Sequence, residues 1–218
     1  AGMATPLGVY LTTGNIRAGA GDIALFLSGA SLMAMNYISF AIILGLAWII
    51  QHFGFFNLWD IMTLPDSSLS SEYQVLRTFL YLLAIPLFLI LFKLSIITGY
   101  HAAEHQVVHT IENGDPLDLE HVSRHQRAHP RCGTNIVTGM IIFIILSQLF
   151  GNEIAVMATV AMFLIGLKKI GALLQNYITT KPAKSYQIEN GINAGKDLLR
   201  KFRSNPSYQA VGFQRIWY

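Results

Sequence analysis

Six of the seven histidines fall between residues 101 and 134: His101, His105, His109, His121, His125 and His129. The only cysteine, Cys132, lies in the same stretch. Three imidazoles and one thiolate suit a zinc ion in a tetrahedral site. His101 and His105 stand one helical turn apart, so a helix through them turns both rings to one face. Glu104 lies between them in an H-x-x-E-H order, the order used by inverzincin metalloproteases, and its carboxylate can serve as base or ligand. Pro130 biases His129 away from helical backbone. Cys132 follows three residues later, so the chain can turn both back onto the same face. The spacing predicts one transition-metal ion, zinc, held by His101, His105, His129 and Cys132, with Glu104 as the catalytic base. His109, Glu112, His125 and Arg131 are expected beside this set rather than on the ion. The competing reading is a polar belt at a membrane interface that binds nothing.

These residues need elements to hold them, and the elements read as membrane helices. The chain is 53% hydrophobic and only 12% charged, about half the charge of an ordinary soluble domain. A formal net charge of +3 gives no reason to expect nucleic acid as a partner. The lone cysteine excludes an internal disulfide. The chain opens at Ala1 with no basic n-region, so no intact signal peptide is expected.

The sequence reads as an all-α membrane protein with about four transmembrane helices and a His-rich cytoplasmic helical connection between spans two and three. Residues 1–22 read as an N-terminal surface segment without a core. The first two spans fall in residues 23–100. The first, Ile23 to Ile50, is uncharged and exceeds the ~20 residues that cross a bilayer. Ala24, Ser28, Gly29, Ser31 and Ala34 give it a small-residue face for helix contact. The second, Thr78 to Gly99, holds Pro86, which should kink it, and Lys93, whose head should reach the interface. A helix continuing past Gly99 would carry the His/Cys segment, residues 101–134, with a second helix over Leu117 to Ala128. Residues 135–180 read as a transmembrane hairpin split at Gly151-Asn152-Glu153. Residues 181–218 read as a basic tail with one short helix, Gln187 to Phe202, and then a break at Pro206.

Four spans put both termini and the histidines on one side, with 13 of the 15 Lys and Arg. The positive-inside rule makes that side cytoplasmic, where a lone thiol stays reduced. Arg124, Arg127 and Arg131 read most simply as headgroup contacts, or more sharply as an anionic-substrate site.

GYHAAEHQVVHTIENG, LEHVSRHQRAHPRCGT and LLQNYITTKPAKSYQIENGI together resemble the bacterial YqhQ-like family, over roughly residues 95 to 195. His101, Glu104, His105, Glu112 and Gly114 match one family block. His129, Pro130, Arg131, Cys132, Gly133 and Thr134 match another, and Gln175, Thr179, Thr180 and Pro182 match a late one. Gln106 stands where the family usually has Lys, Asn135 where it has Ser, and the KPAK end departs from an acidic one. The resemblance implies a membrane protein of a group described as predicted metal-dependent enzymes.

The expected function is therefore a membrane metal-binding protein that hydrolyses its substrate with a metal-activated water. The alternative is a non-catalytic scaffold or accessory subunit of a membrane complex, with a structural metal site. A di-iron oxidoreductase with histidine boxes is a third reading, disfavoured because no His-His pair occurs. Bis-histidine haem ranks lower. The lipid bilayer is the expected partner, and the small-residue face suggests a homo-oligomer or a larger membrane complex.

Overall fold

A computed structural model describes residues 2–165 and 167–205. The chain is mostly helical, but not all-α. Residues expected to be a coreless surface segment form a three-stranded antiparallel sheet, β1 (Gly2–Thr5), β2 (Gly8–Thr13) and β3 (Ile16–Gly19), in the order β1-β2-β3. Val9 and Leu11 point inward and are buried, while Tyr10 and Thr12 point the other way, the two-residue alternation of a half-buried strand. The runs are short and rich in Gly and Thr, so their apolar faces look too small for a core until they are stacked on helices.

Those helices are α5 (Ile97–Asn113) and α10 (Ser185–Ser204). Val9, Leu11, Ile16 and Ala18 of the sheet share one core with Ala103, Val107 and Ile111 of α5 and with Ile188, Ile192 and Leu198 of α10. Asn190 fixes the sheet on α10 by accepting the Val9 N–H at 2.8 Å. The region expected to be a basic tail is thus a 20-residue core helix, longer than the Gln187 to Phe202 segment. The expected break at Pro206, and the rest of 206–218, lie outside the described residues.

Two apolar hairpins extend from this core. In the first, α1 (Asp22–His52) leads through a short helix, α2 (Leu58–Thr63), and returns as α3 (Ser71–Leu82) and α4 (Ala84–Leu94). The return helix is interrupted at Leu83. Pro86 has no N–H to bond the carbonyl four residues back, and its ring crowds that turn. In the second, α7 (Thr134–Phe150) turns at Gly151 into α8 (Asn152–Ile165) and α9 (Leu167–Leu174), and a π-helical turn, Gln175–Thr179, follows. Asp22–His52 and Ser71–Leu94 are long and apolar enough to cross a membrane, and only 17% and 6% of their most apolar stretches are buried. Helices of a soluble core would be mostly covered. Among the described residues, these two helices meet the criteria of length and hydropathy for a span, while Thr134–Phe150 and Asn152–Ala161 of the second hairpin are shorter apolar helices.

The second span does not continue into the histidines as one helix. Ser95 is extended (φ −65°, ψ 161°), and α5 begins afresh at Ile97. The break is held by the Ser95 hydroxyl donating to the Phe92 carbonyl and by Lys181 Nζ donating to the Ser95 carbonyl. Lys93, expected to reach the interface, donates from Nζ to the Thr180 carbonyl at 2.7 Å. At its far end α5 stops at Gly114, whose φ of 75° is a left-handed cap that glycine adopts without strain.

Candidate metal centre

Helix α5 is buried around most of its circumference, so its polar residues need partners. His101, His105 and His109 line one face at successive turns, and the loop after α6 (Leu119–Arg124) runs past that face. The helix expected over Leu117 to Ala128 is only this short one, because His125 already adopts extended backbone. Extended chain from His125 onward brings its carbonyls to the imidazoles. His105 Nδ1 donates to the Arg127 carbonyl at 2.5 Å, and His109 Nε2 donates to the Ala128 carbonyl at 2.9 Å. His101 Nδ1 donates to the Thr179 carbonyl at 2.9 Å.

Each of these bonds commits one ring nitrogen as the N–H and leaves the other as a lone pair. For His101 and His105 that lone pair is Nε2. His101 Nε2 lies 3.3 Å from Cys132 Sγ, and His105 also hydrogen-bonds the thiol. The donor atoms of His101, His105 and Cys132 all lie within 4.8 Å of one another. A metal-binding imidazole typically has its other nitrogen held in this way. Sequence patterns miss these partners, because backbone carbonyls of Arg127, Ala128 and Thr179 carry no residue signature.

His129 does not join that group. It falls in a second cluster with His109 and Glu112, again with donor atoms within 4.8 Å. Its ring is already engaged on both sides: Nε2 lies 3.3 Å from Glu112 Oε2, and Nδ1 accepts the Arg131 N–H at 3.2 Å. Arg131 also pairs with the other oxygen of Glu112. Four residues expected in one ligand set are therefore split three and one. His121 and His125 are peripheral, bonded to Asp118 and Asp115.

The loop that presents Cys132 is fixed from the second hairpin. Gln175 in the π turn accepts the His129 N–H at 2.7 Å and donates to Asn135 Oδ1 at 2.8 Å, while Asn135 donates to the Pro130 carbonyl. A π turn inserts an extra residue into the helix and is frequent at functional sites; here it delivers both the Gln175 side chain and the Thr179 carbonyl.

Glu104 is 6% exposed, and its Oε2 lies 3.5 Å from His105 Nε2. Burial pushes its carboxyl up to about 7, opposed by His101. Gly2 of β1 covers it so closely that a Cβ there would sit 2.0 Å from Oε1, so a side chain at residue 2 would displace the carboxylate. Burial pushes the Cys132 thiol up, but hydrogen bonds and charge from His105, with Thr134, outweigh it and leave the thiol below its usual value. Burial holds His105 and His129 below the usual imidazole value. A thiol poised toward thiolate beside the His105 imidazole, which burial favours in its neutral form, suits metal binding. A cavity of about 660 Å³ is lined by His101, Glu104, His105, Glu112, His129 and Cys132.

Residues 22–167, more than half of the chain, match the family described as "Protein of unknown function (DUF1385)". The "Uncharacterized protein YqhQ" of Bacillus subtilis (strain 168) is 29% identical over 126 aligned residues, taking in 46% of this chain and 40% of that protein. The match thus spans about two fifths of that relative's length. No solved structure matches the chain. The H-x-x-E-H helix and the H-P-R-C-G-T turn that build the cluster both lie within the matched residues, and the chain belongs to this YqhQ-like family of unknown function.

Proposed function

We propose that the chain is an integral membrane, metal-dependent hydrolase whose single ion, zinc, is held by His101, His105 and Cys132, with Glu104 as the general base. The observation that carries this reading is the tautomer control: carbonyls on Nδ1 of both histidines leave both Nε2 atoms facing one thiol. Two nitrogens and a sulfur are borderline-soft donors suited to zinc. Three protein donors are one fewer than a closed structural site holds, as a catalytic site requires. When bound, the ion supplies a Lewis acid that polarises a scissile carbonyl and acidifies a water. Glu104 takes the proton from the attacking water and returns it to the leaving group. The His129–Glu112–Arg131 network borders the cavity and orders the loop that carries Cys132.

Membrane insertion is supported by the exposed apolar faces of Asp22–His52 and Ser71–Leu94, a larger patch than water-soluble monomers leave uncovered. In this reading the second hairpin also crosses the membrane, and the Lys and Arg asymmetry supports a cytoplasmic side for the cluster and both termini. Asn36 lies exposed on the apolar face of α1, where an amide from a neighbouring helix would satisfy it; this favours a homo-oligomer or a larger complex.

A second reading, a scaffold with a structural ion, draws on the same carbonyl bonds, since they clip α5 to the 125–134 loop and to the π turn. Metal analysis of the purified protein with Glu104→Gln separates the two. A hydrolase keeps about one equivalent of zinc in this variant and loses turnover of ester and amide reporters. A scaffold loses nothing. Protein that carries no metal sinks both.

A further inference from the structure

The cavity changes character from one part of its lining to another. His101, Glu104 and Cys132 supply its chemistry, whereas Leu32 of α1 and Phe92 of α4 supply hydrocarbon. Leu32 and Phe92 belong to the two helices long and apolar enough to cross a membrane. Their neighbours Met33, Ile90 and Leu94 are exposed, so the apolar part of the cavity lies beside a surface that itself asks for lipid. A volume of about 660 Å³ falls within the ~300–1,000 Å³ range that buries most of a small ligand.

The hydrogen-bonding partners around this space decide what kind of ligand fits. An extended peptide brings an N–H and a carbonyl at every residue, each needing a partner away from water. The natural partner is the free edge of β1, which borders the cavity through Gly2, Met3 and Ala4. That edge is only four residues long, and one of its acceptors, the Ala4 carbonyl, already takes the Ser28 hydroxyl at 3.1 Å, so it offers a peptide little pairing. Leu32 and Phe92 offer no side-chain donors or acceptors. A hydrocarbon chain needs none.

Resting on the hydrolase reading above, we infer that the substrate is an acyl amphiphile taken from the bilayer. Its chain lies against Leu32 and Phe92, and its ester or amide carbonyl reaches the metal ligands and Glu104. Water adds to the carbonyl carbon and the acyl C–O or C–N bond breaks. Glu104 carries the water's proton to the departing alcohol or amine, and the fatty acid is released.

Linear alkyl hydroxamates, a metal-chelating head on chains of two to ten carbons, test this on the metal-loaded full chain in nanodiscs. Affinity should rise about three- to fourfold per methylene over the first several, more than a hundredfold from the two-carbon to the eight-carbon compound. Leu32→Trp, or Phe92→Trp should the first not fold, should cut that long-to-short ratio at least tenfold with zinc content unchanged. Equal affinity at all chain lengths on zinc-loaded protein overturns the inference but leaves the hydrolase reading standing. So does a ratio untouched by either tryptophan, which marks simple partition into lipid. A peptidyl hydroxamate of similar size binding more tightly than the alkyl series also overturns it, in favour of a peptide substrate. Protein without zinc, or without affinity for the two-carbon compound, removes the hydrolase reading first and this inference with it.

Discussion

The two histidine clusters on α5 are neighbours built from similar residues, yet they are wired differently. In the His101–His105–Cys132 cluster the outward nitrogens are bonded to carbonyls and the inward ones face sulfur. In the His109–Glu112–His129 cluster the His129 ring is satisfied by Glu112 and by a backbone N–H, and Arg131 shares Glu112. The first cluster turns two imidazole lone pairs toward one thiol; the second has largely used its own. Ligand spacing alone does not distinguish such clusters. The partner on the far nitrogen does, because it decides which nitrogen keeps its lone pair.

Substitutions should grade this contrast. His105→Ala should have the largest effect, taking zinc from about one equivalent to below a tenth; protein that still binds a full equivalent would move the site to the second cluster. Gln175→Ala should come next. It leaves the buried His129 N–H unpaired and frees the loop carrying Cys132, so zinc affinity should fall about tenfold or more and stability by about 1–3 kcal/mol, read by competition with a chelator and by denaturant melts. His129→Ala should cost a similar ~1–3 kcal/mol in stability while zinc remains at one equivalent. A wild-type stoichiometry of two, falling to one in His129→Ala, would instead mean that both clusters hold ions. His121→Ala should be smallest: the ring is partly exposed and bonded to Asp118 at the periphery, so zinc should be unchanged and stability should move by less than ~0.5 kcal/mol.

The N-terminal sheet and the α1 hairpin show how legible the fold was. The apolar run beginning at Ile23 announces a helix long and apolar enough to cross a membrane, because nearly every residue of such a helix is apolar and the signal accumulates over its length. The sheet gives no such signal. Each strand has four to six residues, and its inward face is only one or two side chains until α5 and α10 complete the core. The same holds for α10, whose Gly191 and Gly195 suggest a weak helix in isolation yet let it press on Val107 of α5.

The sequence by itself determined the chemistry available and its rough place: His101, Glu104 and His105 on one helix face, a thiol after a proline turn, and apolar runs on either side. Those are properties of residue type and of the 3.6-residue turn, so they survive any packing. Only the tertiary structure decided that His129 pairs with Glu112 rather than joining Cys132, that Gly2 closes over Glu104, and that the carbonyls of Arg127 and Thr179 choose the tautomers of His105 and His101. Those outcomes depend on where backbone atoms from distant segments come to rest, and a backbone carbonyl is the same in every residue.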